Sequence, residues 1–397
     1  MIVLDAILWG VLLLLAIPAV LACLYLLALT ALSWRNASLA APDRALRFDV
    51  IIPAHNEAAG ITRTLTSLSR LQWPQSGFRI FVVADNCSDD TASVAAAEGA
   101  HVLERRDDHL RGKGYALRHA FDHSARDAWA DAVVVVDADS EVSPQLLSAI
   151  AAELAHGAQA VQVHYDVLNP DVSWRTRLMT IAMGAFHTVR SRARERLGLS
   201  CGIRGNGWCV THALLRQVPY RAYSLTEDIE YGIDLGVHGY RVHYAENAKV
   251  YGEMVSSASR AGSQRQRWEQ GRFQLIRERT LPLLRLAISR PSRVCLDLAL
   301  DLMVLPLSYI VLNVIALGLF SGLAALVSAP LLIGLWLAAA CLFCLILYFL
   351  RGWSLSGTGL SGLGALFCAP VFIVWKLIVL ATGRRTTQWT RTEREHP

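Results

Sequence analysis

An almost unbroken apolar run near the start of the chain, residues 7–32, constrains the fold more than any other feature. It is long enough to cross a bilayer as one helix, and it is longer than the apolar part of a signal peptide. Only one charged residue, Asp5, precedes the run, and three arginines follow it: Arg35, Arg44 and Arg47. The positive-inside rule therefore predicts a transmembrane helix within residues 1–34, with the next domain in the cytoplasm.

The end of the chain carries three further apolar stretches, at about residues 296–327, 331–350 and 363–382. They predict a C-terminal membrane region over residues 295–383, followed by a basic tail at residues 384–397. Just before this region, residues 281–294 mix leucines with arginines, which is typical of an interfacial helix.

Two details bear on the topology of the C-terminal region. Asp297 and Asp301 lie at the start of its first stretch, which is therefore expected at the interface or against protein. Three complete crossings would leave the basic tail outside, against the positive-inside rule. Either one stretch, such as the one broken at Pro370, does not fully cross, or the tail is exported.

The composition predicts a multi-pass protein of the cell membrane, meaning an inner or plasma membrane. The chain is 53% hydrophobic and 18% charged, which is apolar for a soluble enzyme. Its net charge of +5 suits an anionic membrane surface better than nucleic acid, so no nucleic-acid partner is expected. The eight cysteines are scattered, and Cys341 and Cys344 are expected to pack within an apolar helix rather than bind metal.

Between the apolar ends, strand patterns and helix patterns alternate. Four short apolar strands begin near Phe48, Arg79, His101 and Asp131, and a helical pattern follows each of them, the last from near Pro144. This alternation predicts an α/β domain with a mostly parallel sheet. No Gly-x-Gly-x-x-Gly follows the first strand, which disfavours a dinucleotide-dependent oxidoreductase.

Three of these strands end in polar residues, which would meet at one edge of a parallel sheet. The valines at 133–136 are followed by Asp137 and Asp139, a pair that can hold a hard divalent cation and, through it, a diphosphate. Asp85 ends the second strand, and Glu57 follows the first. A polar turn explains any one of these residues, but their convergence favours a ligand site.

Other candidate motifs are weaker by themselves. Lys113 follows a glycine at a helix start, which suits either a phosphate ligand or a solvated lysine. Thr226 precedes Glu227 and Asp228, and helix capping by Thr226 is the simplest explanation of that triplet. One face of a long polar helix, which could also be solvated, carries three residues: Gln264, Arg267 and Trp268.

The motifs occur in a characteristic order: Asp85, Asp137-Ala-Asp139, Thr226-Glu227-Asp228 and Gln264-x-x-Arg267-Trp268. Over residues 46–280 this order resembles the membrane-bound family 2 glycosyltransferases, which include synthases of cellulose, hyaluronan, chitin oligosaccharides and poly-N-acetylglucosamine. The resemblance implies a cytoplasmic α/β domain of the GT-A fold, Rossmann-like with a mostly parallel sheet. Transmembrane and interfacial helices would flank this domain on both sides.

The resemblance also implies roles for individual residues. Nucleotide binding is implied for six: Pro53, Ala54, Glu57, Asp85, Lys113 and Asp137. Asp139 is implied to hold Mg²⁺ or Mn²⁺ beside the diphosphate, and Asp228 to act as the general base. Diphosphate and acceptor binding is implied for six more: Gln264, Arg267, Trp268, Gly205, Asn206 and Gly207.

The sequence departs from the family pattern in two places. The second strand ends Ala-Asp-Asn-Cys-Ser where many members have Asp-Asp-Gly-Ser, and the acceptor loop reads Gly-Asn-Gly-Trp-Cys. The corresponding loop of cellulose synthases is Phe-Phe-Cys-Gly, so cellulose is not the expected product.

The first functional expectation is an inverting hexosyltransferase that elongates a β-linked polysaccharide from a nucleotide sugar, with a UDP-sugar as donor. The alternative is transfer of one sugar to a lipid acceptor, as in ceramide glucosyltransferases of similar length and layout. An inactive scaffold or nucleotide-sugar sensor is the third possibility, against which the complete set of acidic residues argues. The expected partners are the donor, a saccharide or lipid-linked acceptor, the bilayer and proteins of an export complex.

Overall fold

The computed structural model describes residues 2–37, 39–40, 46–255 and 258–382. Its strands are β1 (Phe48–Ala54), β2 (Phe78–Asp85), β3 (His101–Arg105), β4 (Ala132–Val135), β5 (Ser140–Val142), β6 (Ala160–Val167), β7 (Trp208–Thr211) and β8 (Val242–Gly252). All of them join one eight-stranded sheet in the order β3-β2-β1-β4-β7-β6-β8-β5.

The half of the sheet that the sequence predicted is parallel. Strand β1 pairs with β2 and β4, and β2 pairs with β3. The β4 residues Val133, Val134 and Val135 have no exposed surface, because helices cover both faces of the sheet. The carboxyl ends of β1, β2 and β4 therefore meet at one edge, as expected from their polar ends.

The other half of the sheet is mixed. Strand β7 runs antiparallel to β4 and β6, β8 runs parallel to β6, and β5 runs antiparallel to β8. Because β7 runs opposite to β4, its amino end lies at the same edge as the carboxyl end of β4. This arrangement brings the turn before β7, with Gly205, Asn206 and Gly207, next to Asp137. The sheet remains mostly parallel, with four parallel pairings out of seven.

The helices are α1 (Ile2–Ala31), α2 (Ile61–Ser69), α3 (Thr91–Ala97), α4 (Lys113–Asp127), α5 (Leu146–Ala155), α6 (Trp174–Met183), α7 (Arg190–Arg196), α8 (His212–Gln217), α9 (Glu227–Val237), α10 (Ala258–Ser289), α11 (Arg293–Met303), α12 (Leu307–Ala324), α13 (Ile333–Ser356), α14 (Gly359–Ala365) and α15 (Ala369–Thr382). Helices α2, α3 and α5 pack on one face of the sheet, and α4, α8 and α9 pack on the other. The side chains of β1 point alternately to the two faces of the sheet. Val50 and Ile52 pack in the layer with α2, α3 and α5, and Ile51 packs in the layer with α4, α8 and α9.

Four helical segments of the described residues are long and apolar enough to cross a membrane: Val3–Ala31, Leu307–Ala324, Ala329–Ser356 and Gly359–Val379. Helices α1, α12 and α13 share one buried apolar cluster, which includes Leu26, Leu317 and Leu345. The fourth segment is interrupted near Pro370, where a short 3₁₀ turn, Leu366–Cys368, separates α14 from α15. The predicted basic tail at 384–397 lies outside the described residues.

Residues 281–294, the predicted interfacial helix, are divided between two helices in the structure, and their position at an interface stays a prediction. Helix α10 continues to Ser289, because Leu283 extends the buried face that Leu275 begins, and α11 then starts a new helix. The expectation that Asp297 and Asp301 face protein is confirmed. Asp297 lies 2.9 Å from Arg194, and Asp301 lies 2.8 Å from the same guanidinium.

Candidate active site

The Asp137–Ser140 turn that follows β4 is held from the β7 side by Asn206. The backbone N–H of Asp137 donates to Asn206 Oδ1 at 3.0 Å, and Asn206 Nδ2 donates to Ser140 Oγ at 2.7 Å. Asn206 has no exposed surface. The side chain of Asn206 therefore supports the turn that carries the two aspartates, and the diphosphate or acceptor binding that the family resemblance implies for Asn206 stays a prediction.

Helix α2 holds the same turn from the other side. Thr64 Oγ1 donates to the carbonyl of Ala138 at 2.8 Å and accepts from the backbone N–H of Ser140 at 3.1 Å. Arg63 donates to the carbonyl of Asp139 at 3.2 Å and pairs with Glu253 at 2.8 Å. Sequence reasoning missed Arg63 and Thr64, because nothing in a short amphipathic helix indicates which distant turn it will support.

Asp137 and Asp139 suit a divalent cation that is shared with a diphosphate. Among the described residues, no group of three or more His, Cys, Asp or Glu side chains could hold a metal without other ligands. The Asp137 side chain is 30% exposed at the sheet edge. Mg²⁺ typically keeps several waters and takes one or two carboxylates plus substrate phosphates, which matches a two-carboxylate site.

Lys113 joins three elements around Asp137. A φ of +125° at Gly112, which few other residues adopt, leads into Lys113 as the first residue of α4. Its ammonium lies 2.6 Å from Asp137 Oδ1 and 3.6 Å from Glu227, and it donates to the carbonyl of Gly205 at 2.7 Å. Burial disfavours the charged form, but these two carboxylates outweigh burial and raise the pKa of Lys113. Lys113 therefore stays cationic beside the aspartate turn.

Asp228 lies in the first turn of α9, beside the glycine turn. A Cβ atom at Gly205 would stand 3.4 Å from Asp228 Oδ2, and Gly205 has a φ of +84°. Burial and, second, the neighbouring Glu227 carboxylate raise the pKa of Asp228 to about 7. An aspartate with this pKa can accept a proton near neutral pH, which is what a general base requires.

Thr226 occupies the N-cap position of α9, as the sequence predicted, but its side chain does not cap the helix. Its hydroxyl makes no capping hydrogen bond, and within the described residues it has no hydrogen-bond partner. Instead, Thr226 packs on α10, where a Cβ at Gly271 would lie 2.5 Å from its methyl carbon. This close approach fixes the start of α9, and so Asp228, against the helix that carries Arg267.

The candidate site for the nucleobase of the donor lies at the sheet edge formed by the ends of β1 and β2. Asp85 is 5% exposed, and its Oδ1 pairs with Arg105 of β3 at 2.6 Å. Pro53 and Ala54 stand opposite Val83 and Ala84 in parallel register, directly beside this carboxylate. The backbone N–H of Glu57 donates to Thr91 Oγ1 at 2.9 Å, which anchors the loop after β1. Arg105 was not predicted, because a basic residue at a strand end reads as solvated.

Helix α10 divides the three residues of the Gln-x-x-Arg-Trp motif between two environments. Burial lowers the pKa of Arg267, and the negative charges of Glu227 and Asp137 oppose that shift, so Arg267 is within electrostatic range of both carboxylates. Gln264 and Trp268 instead line a cavity between α6, α10 and α15. The structure therefore brings Arg267 to the carboxylate cluster and places the other two residues toward the membrane helices.

The chain belongs to the family of glycosyltransferases whose model is described as glycosyltransferase like family 2, which matches residues 45–271. It is 24% identical over 260 residues to a probable glucomannan 4-beta-mannosyltransferase of Arabidopsis thaliana, covering 61% of this chain and 46% of that protein. It is 27% identical over 235 residues to a beta-monoglucosyldiacylglycerol synthase of Synechocystis, covering 57% and 47%. The chain thus spans about half the length of these curated relatives.

The fold matches a solved structure across nearly the whole chain. The mannosyltransferase PcManGT from Pyrobaculum calidifontis, solved with GDP-mannose and Mn²⁺, superposes with a TM-score of 0.56 at 17% identity. The match covers 93% of this chain and 97% of that chain. The protein is a family 2 glycosyltransferase with a GT-A fold and N- and C-terminal apolar helices, as the sequence predicted.

Proposed function

We propose that the protein transfers a hexose, with inversion, from a UDP-sugar to a lipid acceptor at the membrane surface. The main support for this proposal is the carboxylate cluster at the sheet edge. Lys113 lies between Asp137 and Glu227, and Asp228 follows Glu227 in the first turn of α9. Transfer from a nucleotide sugar expels a diphosphate, whose developing charge needs cationic partners. Lys113 and Arg267 are the cations beside these carboxylates.

The proposed reaction is a single displacement. The acceptor oxygen attacks the anomeric carbon from the face opposite the diphosphate, the bond from that carbon to the diphosphate oxygen breaks, and the configuration inverts. Asp228 takes the proton of the acceptor hydroxyl. Asp137 and Asp139 would hold a bound Mg²⁺ or Mn²⁺, which stabilises negative charge on the leaving diphosphate. An α-linked donor sugar would therefore give a β-linked product.

The proposed choice of UDP over GDP is supported by the surroundings of Asp85. Arg105 occupies Oδ1 of this carboxylate at 2.6 Å, and Asn86 donates to the same oxygen at 3.3 Å. One oxygen, Oδ2, is left to accept from a nucleotide base. Uracil offers one ring N–H, whereas guanine offers a ring N–H and an amino group that together suit both oxygens of a carboxylate.

The proposed choice of a lipid acceptor is supported by the packing of the membrane helices. Between α1, α12 and α13, the side chains of Leu26 and Leu317 have no exposed surface, and Leu345 has 1%. A sugar chain therefore has no room between these three helices. Elongation of a β-linked polysaccharide stays a prediction, and the similarity to glucomannan mannosyltransferases is its support.

The proposed orientation places the catalytic domain in the cytoplasm, and the arginines after α1 support it. A cysteine introduced at the exposed Asp108 tests this orientation with a membrane-impermeant maleimide. Labelling above that of the unaltered chain should require permeabilised cells. Labelling of intact cells would contradict it. Proteins of an export complex remain predicted partners.

The experiment that tests the proposed function incubates the full chain in lipid nanodiscs with radiolabelled UDP-glucose, UDP-galactose, UDP-N-acetylglucosamine and GDP-mannose. Products are separated by organic extraction with thin-layer chromatography and by gel electrophoresis. The proposal expects label from one UDP-sugar in a lipid that carries a single sugar. A long water-soluble polymer would favour the polysaccharide synthase, label from GDP-mannose alone would overturn the donor assignment, and no turnover would favour the sensor.

A further inference from the structure

A small cavity lies between α6, α10 and α15, next to the carboxylate cluster but separate from it. Two arginines, Arg175 and Arg265, line it together with Gln264, Trp268, Phe372 and Trp375. Its volume is about 30 Å³, which is too small for a sugar ring and suits a compact polar group. Because α15 belongs to the fourth apolar segment, the cavity is at the boundary of the membrane region.

Both guanidinium groups lie over aromatic rings. Arg175 lies 4.6 Å from the ring centre of Trp174 and 4.7 Å from that of Trp375. Arg265 lies 5.4 Å from the ring centre of Phe372 and 5.7 Å from that of Trp268. Ring faces stabilise a cation in this position and keep the planar guanidinium fixed, but they leave its N–H groups without strong acceptors.

The two arginines lack carboxylate partners within the described residues. Among these residues Nη1 of Arg175 is buried without a hydrogen-bond partner, and Arg265 donates to the thioether of Met179, a weak acceptor, at 2.9 Å. No acidic residue of the described part of the chain lines the cavity. Glu269, one turn after Arg265, is paired with Lys376 at 2.5 Å. Both arginines are half-buried, and Glu269 is the one carboxylate that opposes the burial-lowered pKa of Arg265. Half-buried guanidinium groups with so few strong acceptors are unfavourable, so this arrangement favours an anionic ligand.

We propose that Arg175 and Arg265 bind the phosphate of a membrane lipid, and that this lipid is the sugar acceptor. The acceptor role of this lipid rests on the proposed function. The phosphate site does not, because it is inferred from the cavity alone. The position of the cavity favours a lipid as the source of the phosphate, because one wall of the cavity is an apolar helix. Guanidinium groups bind phosphate through paired N–H donors, and Arg175 and Arg265 both face the cavity.

The position of the cavity also suits the transfer reaction. Gln264 and Trp268 line it, and Arg267, between them in sequence, lies near Glu227 and Asp137. A lipid held by its phosphate in the cavity would therefore extend its polar end toward the carboxylate cluster. The acceptor hydroxyl would belong to the part of the head group beyond the phosphate, within reach of Asp228.

The test measures binding without a sugar donor, so its outcome does not depend on whether the protein transfers sugar. The full chain in maltoside detergent is titrated calorimetrically with three probes: dihexanoyl phosphatidic acid, dihexanoylglycerol and inorganic phosphate. The variants are Arg175→Gln and Arg265→Gln, with Arg175→Lys to retain charge. Arg177→Gln is the matched control, because Arg177 lies two residues along the same helix and pairs with Asp171 at 3.3 Å.

The proposal expects the unaltered chain to bind the phosphatidic acid and to bind the diacylglycerol at least about tenfold more weakly, since hydrogen bonds to a charged group carry that difference. Each glutamine variant should lose about tenfold in affinity for the phosphatidic acid, with a smaller loss for Arg175→Lys and none for Arg177→Gln. Equal losses in Arg177→Gln, or equal binding of both lipids by the unaltered chain, would overturn the site. Tight binding of inorganic phosphate would assign it to a free anion instead.

A second measurement separates the acceptor role from the site. In nanodiscs, phosphatidic acid has no head-group hydroxyl beyond its phosphate, so at a fixed UDP-sugar concentration it should compete with the natural acceptor and lower transfer. Arg175→Gln should raise the acceptor KM with little change in kcat. Intact binding without any effect on transfer would leave a lipid site that does not serve the acceptor, and would overturn that part of the proposal.

Discussion

Lys113 Nζ lies 2.6 Å from Asp137 Oδ1, and this ion pair ties the start of α4 to the aspartate turn after β4. The same ammonium donates to the carbonyl of Gly205, so one side chain links the aspartate turn to the glycine turn before β7. Neither contact follows from sequence spacing, because the three residues come from three separate segments.

Replacing Lys113 with methionine should impair both donor binding and transfer. The change removes a cation from beside the leaving diphosphate, and loss of one such electrostatic partner typically costs about 10²- to 10³-fold in kcat. Lys249→Met is the control, since Lys249 pairs with Asp166 at 3.1 Å and is 44% exposed. Steady-state kinetics with the preferred UDP-sugar provide the measurement. Equal activity of the two variants would remove Lys113 from the site.

Replacing Asp139 with asparagine should weaken metal-dependent UDP binding. The loss should be at least about tenfold, because even the loss of a group that only hydrogen-bonds to a metal ligand costs about 10- to 100-fold in metal affinity. Calorimetric titration of UDP with and without Mn²⁺ measures it. Asp131→Asn is the control, because Asp131 precedes the opposite end of β4 and accepts from the backbone of Arg47. Unchanged UDP affinity in Mn²⁺ would contradict the metal assignment.

The rate should depend on the ionisation of Asp228. Burial and Glu227 raise its pKa to about 7, and only the deprotonated form can accept a proton. The value of kcat/KM should therefore fall about tenfold per pH unit as the pH drops below that pKa. Glu227→Gln removes the neighbouring negative charge, so its acid limb should move to lower pH. Identical acid limbs in the two proteins would show that another group controls the profile.

Trp268→Ala should impair use of the acceptor more than binding of UDP. Trp268 lines the cavity with Gln264, packs beside Met254 and lies under the Arg265 guanidinium, a cation–π contact that contributes about 0.5–1 kcal/mol and helps to hold Arg265 in the cavity. The expected result is a higher acceptor KM with unchanged UDP affinity, and near-normal kinetics for Trp268→Phe. A large fall in melting temperature for the alanine variant would instead assign Trp268 to the core.

The parallel half of the fold was predictable because its strands carry strong local signals. The valines of β4 are covered on both faces, so the strand appears as a continuous apolar run that ends at Asp137. Strand β5 has three residues, too few for a periodic pattern. Its existence depends on pairing with the distant β8.

The candidate site was only partly predictable for a related reason. Asp85, Asp137 and Asp228 stand at element ends where polar residues are informative, and their order identified the family. The supports of the site are different: Arg63 and Arg105 act through tertiary contacts with distant segments. Their residue types are equally compatible with a solvated surface, so only the folded chain reveals their partners.

The proposed role of Asp228 as the base for sugar transfer can be tested by comparing two carboxylates of the same helix. Asp228→Asn and Asp234→Asn are purified in nanodiscs, where Asp234 is a second carboxylate of α9 that pairs with Arg279 at 3.3 Å. Sugar transfer and UDP affinity are measured in parallel. We expect Asp228→Asn to lose about 10²- to 10⁴-fold in transfer rate with UDP affinity nearly intact. Asp234→Asn should keep a transfer rate and a UDP affinity close to those of the unaltered chain. Near-normal transfer by Asp228→Asn would contradict the claim.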